Sequence, residues 1–400
     1  MILHIDLDCY YCSAERIRNP SVRGIPLAVG GSSNLTLFGT TPSRSKTLRG
    51  VVVTSSYEAR ARGVKTGMNI AEALRFCPAL TILPPDHGYY RALSAQLFAL
   101  LQTLMPTVEQ CSIDEFFCDI SGMDEAKNPE AFALHVKLRI AQTLGLPVSI
   151  GVSPAKWIAK LATNAAKPDG IRYVPREAIV AFIAPQPIEH FPGIGKSTQE
   201  KLHKHGIQTL GQAHEAKHLF WQWGEGAKQL WRKIAGEDKE VVEVFKQRKS
   251  IGLSRTFDPI ASREELHRRV AVLVRHIAFL VMSSNAHPAT FSLTLRYEHG
   301  GKITQRCTQH RSFSEAFFCQ RALELFHQAD TCSQYKVNFL GVNVSHFLEQ
   351  NGQSVSLLDF CEDQKYRSVE ASMHQIRVRY GLDAIMCARE LKPNPQKKRG

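Results

Sequence analysis

The sequence predicts an α+β chain of several domains, two of them small sheets with the element order β-α-β-β-α-β. Three observations carry this. Strand-length apolar runs and helix-length amphipathic runs follow one another in that order twice, over residues 1–152 and again over 250–347. A glycine turn, Pro192-Gly193-Ile194-Gly195, stands between the two stretches. And 400 residues exceed what one hydrophobic core normally serves.

Ile2 to Asp8 alternates apolar and polar, as a strand with one wet end does. Residues 11–75 are rich in Gly, Ser, Thr and Arg, and the polar stretch Ser32 to Gly50 reads as a long loop or hairpin. A helix is expected from about Tyr89 to Leu104, with Leu93, Leu97, Leu100, Leu101 and Leu104 on one face. Val108 to Ile113 and Phe116 to Ile120 read as strands joined tightly around Asp114-Glu115. Asn128-Pro129 starts a helix that runs to about Leu144, and Val148 to Val152 closes the set as a strand. With 11–75 set aside, this is a split-βαβ, ferredoxin-like pattern. Its central strands lie side by side, so Asp6 at the end of the first strand meets Asp114 and Glu115 at one sheet edge.

A second region begins near Arg172. Phe191 to Ile207 (FPGIGKSTQEKLHKHGI) reads as helix, glycine turn, helix. A charged stretch, Glu237 to Lys249, precedes strand Ser250 to Thr256 and helix Arg263 to Met282. Strands Ala289 to Tyr297 and Lys302 to His310 flank His299-Gly300-Gly301. Helix Phe313 to Gln328 and strand Lys336 to His346 complete the second set. The tail from Leu348 holds one more helix, roughly Arg367 to Tyr380, and ends in KPNPQKKRG, which is expected to be disordered.

Composition narrows the function classes. The net charge of +13 and pI near 9.3 favour a polyanionic partner, with nucleic acid the commonest. The 10 cysteines show no disulfide framework and no secretory leader precedes them. Cys9 and Cys12 form a CxxC without a second pair at zinc spacing, so they read as ordinary residues near a helix start. No run of apolar residues is long enough to span a membrane. A reducing cytoplasm is expected.

Carboxylates beside buried strands are costly unless compensated. Asp6, Asp114 and Glu115 would repel one another unless cations sit among them, and hard oxygen ligands suit Mg²⁺. Two such ions could activate a 3′-hydroxyl and hold a leaving pyrophosphate. On these residues alone, two exposed hairpin acids and a strand-end Asp fit equally well. In Val51 to Met68 (VVVTSSYEARARGVKTGM), Thr54, Tyr57, Arg60 and Arg62 lie close together, suited to phosphate or simply to a solvated basic turn. Gly193 and Gly195 allow amides to face a phosphate, and Lys196, Lys201 and Lys204 add charge, so this hairpin is expected to hold a duplex backbone without reading bases.

Five motifs stand in order: HIDLDCYYCSAE (His4 to Glu15), VVVTSSYEARARGVKTGM, SIDEFFCDI (Ser112 to Ile120), GVSPAKWIAKLATNAAKPDGI (Gly151 to Ile171) and PGIGKSTQEKLHKHGI. Over nearly its whole length the chain resembles the Y-family, or translesion, DNA polymerases. The resemblance implies a right-hand architecture. The palm is 1–10 and 76–171, the fingers 11–75, and a thumb with the helix-hairpin-helix 172–240. A linker follows at 241–249, then a split-βαβ little finger at 250–347 and a tail at 348–400.

It further implies that Asp6, Asp114 and Glu115, with the Leu7 carbonyl, bind two Mg²⁺. The amides of Cys9 and Tyr10 would face the triphosphate, which Thr54, Tyr57, Arg60 and Lys167 would hold. Val53 and Gly67 would line the nascent base pair, and Tyr11 would be the steric gate against a ribose 2′-hydroxyl. Small fingers imply an open site that tolerates damaged templates and errs more often. Primer-template DNA and deoxynucleoside triphosphates are the implied partners, and a monomer is expected.

In the little finger, Lys249, Arg255, Arg296, Lys302, Arg306 and Arg311 lie on or beside strands and are expected to contact phosphates. The fingers motif is similar to that of DNA polymerase IV, while the extended tail resembles the polymerase V catalytic subunit; the former is preferred. SLLDF in the tail resembles a sliding-clamp docking peptide, so Leu357, Leu358 and Phe360 either insert into a clamp or pack on the little finger. The 32–50 loop is longer than the family's usual connection. Three rivals remain: a nucleotidyl cyclase, a two-metal nuclease with a helix-hairpin-helix, and an inactive relative that keeps clamp docking. The presence of all three carboxylates argues against the last.

Overall fold

The computed structural model describes residues 1–31, 35–38, 50–245, 247–348 and 360–391, the side chains of 35, 36 and 360–367 excepted. The chain divides into two compact units: Met1–Ser33 with Lys46–Lys246, and Asn34–Ser45 with Gln247–Gly400.

The first unit opens with β1 (Ile2–Leu7) and α1 (Tyr10–Arg18). β2 (Leu27–Gly31), β3 (Val51–Ser55), α2 (Tyr57–Arg60), α3 (Ile70–Phe76) and β4 (Thr81–Leu83) follow. Next come α4 (His87–Leu104), β5 (Thr107–Gln110), β6 (Glu115–Asp119), α5 (Pro129–Leu144), β7 (Val148–Ser153), α6 (Lys156–Ala166) and β8 (Ile171–Tyr173). The main sheet runs β5-β6-β1-β7-β8, with β1 antiparallel to both neighbours. This is the expected split-βαβ order with one strand added at the edge.

Leu3, Ile5 and Leu7 face a core shared with Leu97 and Leu101 of α4 and Val136 and Ile140 of α5. The expected polar alternation of β1 is present, but the strand has no wet end: Asp6 and Asp8 are buried, as is His4, across which α6 packs. Asn128 caps α5 by accepting from Ala131 N, with Pro129 at its first position.

The fingers segment is less separate than its sequence boundaries suggest. α1 buries Tyr10, Cys12 and Ala14 in the palm core. Conversely β4, beyond residue 75, pairs with β2 to complete the small sheet β3-β2-β4.

Residues 172–240, the expected thumb, hold α7 (Ile179–Ile183), α8 (Lys196–His203), α9 (Leu210–Glu215), α10 (Lys217–Gln222) and α11 (Glu225–Ile234). Its core includes Ile158, Leu161 and Ala162, so α6 serves palm and thumb together. Phe191 to Ile207 contains one helix, α8, rather than two. The turn before it is preceded by a short 3-10 segment, Ile188–His190, and then α7, because Pro187 and Pro192 keep a longer helix from forming there.

The second unit has β9 (Ser250–Ile260), α12 (Arg263–Ser283), β10 (Pro288–Tyr297), β11 (Lys302–Thr308), α13 (Glu315–Ala329), β12 (Val337–Phe347) and α14 (Phe360–Tyr380). All six expected little-finger elements form. Their sheet runs β11-β10-β12-β9, with α12 and α13 burying one face. Leu37 and Phe38, from the fingers insertion, belong to this unit's core. Among the described residues no helix is long and apolar enough to cross a membrane.

Candidate functional site

β1 and β6 are antiparallel neighbours, and their register pairs Asp6 with Glu115. Leu7 N donates to Asp114 O at 3.0 Å, which locks the end of β1 to the hairpin turn. The Ser112 hydroxyl donates to Asp114 Oδ1 and accepts from the Glu115 amide at 3.1 Å. The three carboxylates thus stand on the centre of the sheet, at one end of its two middle strands.

Two lysines already lie on this cluster. Lys167 Nζ is 2.7 Å from Asp6 Oδ2. Lys160 Nζ donates to both oxygens of Glu115, at 2.8 and 2.9 Å. Burial pushes the Asp6 carboxyl up to about 6; Lys167 pulls the other way, and Glu115 and Asp114 add to the rise. Beneath them His4 is held neutral, its pKa lowered first by burial and then by Lys160 and Lys167. Its Nδ1 bonds Thr163 Oγ1 at 2.9 Å. One buried and two half-buried carboxylates facing two ammonium groups leave a net negative site with hard oxygen donors, which suits divalent cations.

Asp8, which shares the motif, takes no part in the cluster. Its carboxylate accepts from Ser149 Oγ, Asp169 N and Tyr57 Oη, at 2.9, 2.8 and 2.9 Å. It is a buried anchor that ties β1, β7 and α2 together. The hydroxyl of Tyr57 is therefore committed to Asp8, while Arg60 lies over the Tyr57 ring and donates to Ser55 O. Val53 and Thr54 are half-buried on β3, beside Gly67, whose φ of +83° favours glycine.

Cys9 joins β1 to α1 through a left-handed conformation, φ 47°. That tight turn puts the amino end of α1, with its free amides, directly after the Asp6 strand. Tyr11 follows at once. Its half-buried ring stacks on Tyr90, centroids 4.2 Å apart, with His87 at its edge. Tyr90 is itself fixed by donating to Glu15 Oε1.

The thumb turn contains Gly193 at φ +99°, a conformation other residues rarely adopt. Gly195 is different: a β-carbon there would meet nothing within 4 Å, so the backbone is simply open. Lys196, exposed, begins α8. Lys201 lies 4.0 Å from the Trp223 ring centroid.

The open face of the little-finger sheet is a lattice of small polar and cationic residues. Reading across the strands, one row is Lys302, Arg296, Phe339 and Thr256; the next is Thr304, Thr294, Gly341 and Ser254. Then come Arg306, Ser292, Asn343 and Gly252, and last Thr308, Thr290, Ser345 and Ser250. These four rows contain no carboxylate. Arg296 lies over the Phe339 ring and bonds Asn338 Oδ1.

Arg296, Lys302 and Arg306 are brought together here, and Arg255 is not. It pairs with Leu340 and lies on the opposite face with Ile251 and Phe257, half-buried, donating to Ser254 O. Arg311 follows β11 and lies over the Phe317 ring at the helical side. Lys249 is exposed just before β9. Leu357 and Leu358 lie outside the described residues, as does the side chain of Phe360.

Lys160 and Tyr90 were missed by the sequence reading. The signal for Lys160 was its spacing: it stands seven residues before Lys167, two helical turns on the same face. Tyr90 carries no comparable signal, since its contact with Tyr11 is made only by the fold.

Family models match most of the chain: the impB/mucB/samB family over residues 5–164, the IMS family HHH motif over 176–207, and the impB/mucB/samB family C-terminal domain over 248–357. DNA polymerase IV of Oceanobacillus iheyensis is 32% identical over 399 residues, covering 96% of this chain and 90% of that protein. DNA polymerase IV 1 of Bacillus subtilis is 31% identical, covering 100% and 95%. Among solved structures, a Y-family DNA polymerase chimera of Dbh and Dpo4 superposes with a TM-score of 0.77 at 25% identity, over 87% of this chain and 99% of that one. The helix-hairpin-helix match begins at 176 and so takes in α7, which explains why 191–207 alone holds a single helix. With the sheet that carries Asp6, Asp114 and Glu115, the glycine hairpin and the cationic sheet all accounted for in order, the chain belongs to the impB/mucB/samB family of Y-family DNA polymerases.

Proposed function

We propose that this chain is a template-directed DNA polymerase of the DNA polymerase IV type, which adds deoxynucleotides to a primer 3′ end and bypasses damaged template with reduced fidelity. The observation that carries it is the pairing of Asp6 with Glu115 across the central strands, with Asp114 on the adjoining turn. Asp6, Asp114 and Glu115 would hold two Mg²⁺, with the Leu7 carbonyl as a further ligand. Bound divalent ions supply Lewis-acid neutralisation of the phosphates and lower the pKa of the primer hydroxyl.

The chain's own residues do the positioning. Lys167, the α1 amides of Cys9 and Tyr10, and Thr54 and Arg60 place positive charge and donors for the triphosphate. Tyr57 acts by anchoring: its hydroxyl holds Asp8, and its ring supports Arg60. Tyr11, backed by Tyr90, closes the space that a 2′-hydroxyl needs. Val53 and Gly67 line the base pair. The little-finger lattice and the thumb turn at Gly193, Gly195 and Lys196 grip the duplex backbone.

Primer extension tests this directly. Asp114→Asn or Glu115→Gln abolishes extension while primer-template binding persists, because the carboxylates hold ions and not DNA. Extension near the wild-type rate in either variant overturns the assignment. The same assay separates the polymerase from a nuclease or a cyclase. The chain acts as a cytoplasmic monomer that docks on a sliding clamp through Leu357, Leu358 and Phe360. Changing all three to Ala removes clamp-stimulated synthesis and spares synthesis without a clamp.

A further inference from the structure

We infer that Lys160 is a positioning residue that holds Glu115 in place in the metal-free enzyme and releases it when a divalent cation binds. The inference rests on the reading of Asp6, Asp114 and Glu115 as the metal ligands.

Both oxygens of Glu115 are occupied by the Lys160 ammonium, at 2.8 and 2.9 Å. Asp6 is occupied by Lys167 at 2.7 Å. Lys160 stands on α6 and Lys167 at its C-cap, so one helix and its cap supply two positive charges to three carboxylates. Without them the carboxylates would repel one another at the end of the sheet and splay the hairpin turn from β1.

The helix itself cannot give way. At Gly151 of β7 a β-carbon would lie 2.0 Å from Ala159 O and 2.3 Å from Thr163 N, so helix and strand backbones touch. Thr163 Oγ1 bonds His4 O, registering α6 on β1. On its far side Ile158, Leu161 and Ala162 are set in the thumb core. What can move is the Lys160 side chain, a fifth exposed and built on a flexible four-carbon stem.

An oxygen lone pair given to an ammonium proton is not available to a cation. Lys160 and a metal ion therefore compete for Glu115. Removing Lys160 has two opposite effects: it destabilises the metal-free protein and tightens binding of the ion. A lysine that merely packs, or that only braces the hairpin, would show the first effect alone.

The test uses the full chain without DNA or nucleotide. Mn²⁺ is titrated into metal-free protein while the free ion is followed by electron paramagnetic resonance, and thermal unfolding is recorded in chelator. Lys160→Met lowers the melting temperature in chelator and binds Mn²⁺ about threefold more tightly than wild type, the scale of a partly exposed ion pair. Lys160→Arg, which keeps the pair, restores both values. If Lys160→Met does not fold, Lys160→Gln carries the same comparison. Equal or weaker binding by the variant, or no binding to either protein at millimolar Mn²⁺, overturns the inference. Adding Glu115→Gln to Lys160→Met separates the two readings. Loss of the gain places the ion at Glu115; binding that survives the second change places it elsewhere and removes the metal assignment itself.

Discussion

The palm and the little finger are made of the same six elements in the same order, yet their sheets are inside out with respect to each other. In the palm, β1 and β6, which begin the two split βαβ units, are the central pair, and β5 and β7, which end them, flank it. In the little finger the finishing strands β10 and β12 are central, and the starting strands β9 and β11 are the edges. In both, each crossover leaves a gap that a strand of the other unit fills, so local geometry is equally satisfied.

The difference decides what the sheet can do. With β1 beside β6, the end of one strand meets the turn that begins the other, and Asp6, Glu115 and Asp114 converge on one point. The described strands of the little-finger sheet bring no carboxylates together in this way. Its edge strand β11 instead sets Lys302 beside Arg296 of β10 and Arg306 beside Ser292 two rows on, and spreads charge over a face. Cations on an edge strand also discourage unwanted strand pairing. Under the proposed function, one sheet focuses chemistry at a point and the other distributes affinity over an area.

That contrast predicts qualitative loss from single changes in the palm and graded loss in the little finger. After the loss of extension expected at Asp114 and Glu115, the next largest effect is expected just beyond β1, in the first turn of α1. Tyr11→Ala removes the ring that stacks on Tyr90 and should cut discrimination against ribonucleotides by roughly 100-fold, the scale on which a shaped pocket rejects an added group. Tyr90→Ala should give a smaller loss in the same direction, since Tyr11 keeps its place but not its backing. Single-nucleotide insertion with ribo- and deoxy-forms measures both. Unchanged selectivity in Tyr11→Ala would move the gate to another residue, with Tyr10 next to be tested.

A second, intermediate effect concerns the lattice. Replacing Arg296, Lys302 and Arg306 together by Ala should lower the slope of log affinity against log salt by about 3, close to one unit for each phosphate that the variant no longer neutralises. Affinity should fall similarly for unrelated duplex sequences. Arg255→Ala, on the opposite face, should leave the slope unchanged. If Arg255 alters it as much as the others do, the face assignment is wrong. Fluorescence anisotropy across a salt series decides the matter.

How far the sequence disclosed this follows from what the sequence records. The alternation in β10 and β11 marked Arg296, Lys302 and Arg306 as one face, and it equally marked Arg255 as the other, in step with Ile251, Leu253 and Phe257. That signal was present and went unused. In β1 the same alternation misled, because α6, more than 150 residues away, covers His4 and Asp6. Asp114-Glu115 was legible from a turn between apolar strands. Asp8 shares the residue type and motif of Asp6, and its three donors, drawn from Tyr57, Ser149 and Asp169, set it apart. Strand order in the second sheet was not legible, since both orders use the same elements and the same connections. Pro187 and Pro192 could have shown that the hairpin's first helix lies earlier, at α7.

The smallest effect tests whether the helical side of the little finger is as passive as its sheet face is active. There α14 docks through Glu370, which is buried and accepts from the Glu315 and Ala316 amides at the start of α13. Arg377 pairs with Glu315 beside it, and Arg275 pairs with Glu390 farther along the same interface. Burial pushes the Glu370 carboxyl up to about 7; the two amides and Arg377 oppose this, and Glu315 adds to it. A carboxyl whose pKa is raised on folding favours the folded state when protonated. Its contribution is complete below the ordinary value of 4.5 and is lost as pH rises toward 7. The melting temperature of the protein should therefore carry a component that falls by a few degrees between about pH 5 and pH 7.5. Glu370→Gln, which keeps an acceptor for the α13 amides and cannot ionise, should remove that component and raise stability at pH 7.5. A melting profile whose slope in this window is the same with and without Glu370 would show that the carboxyl is not held neutral, and that the Arg377–Glu315 pair carries the ionic part of α14 docking.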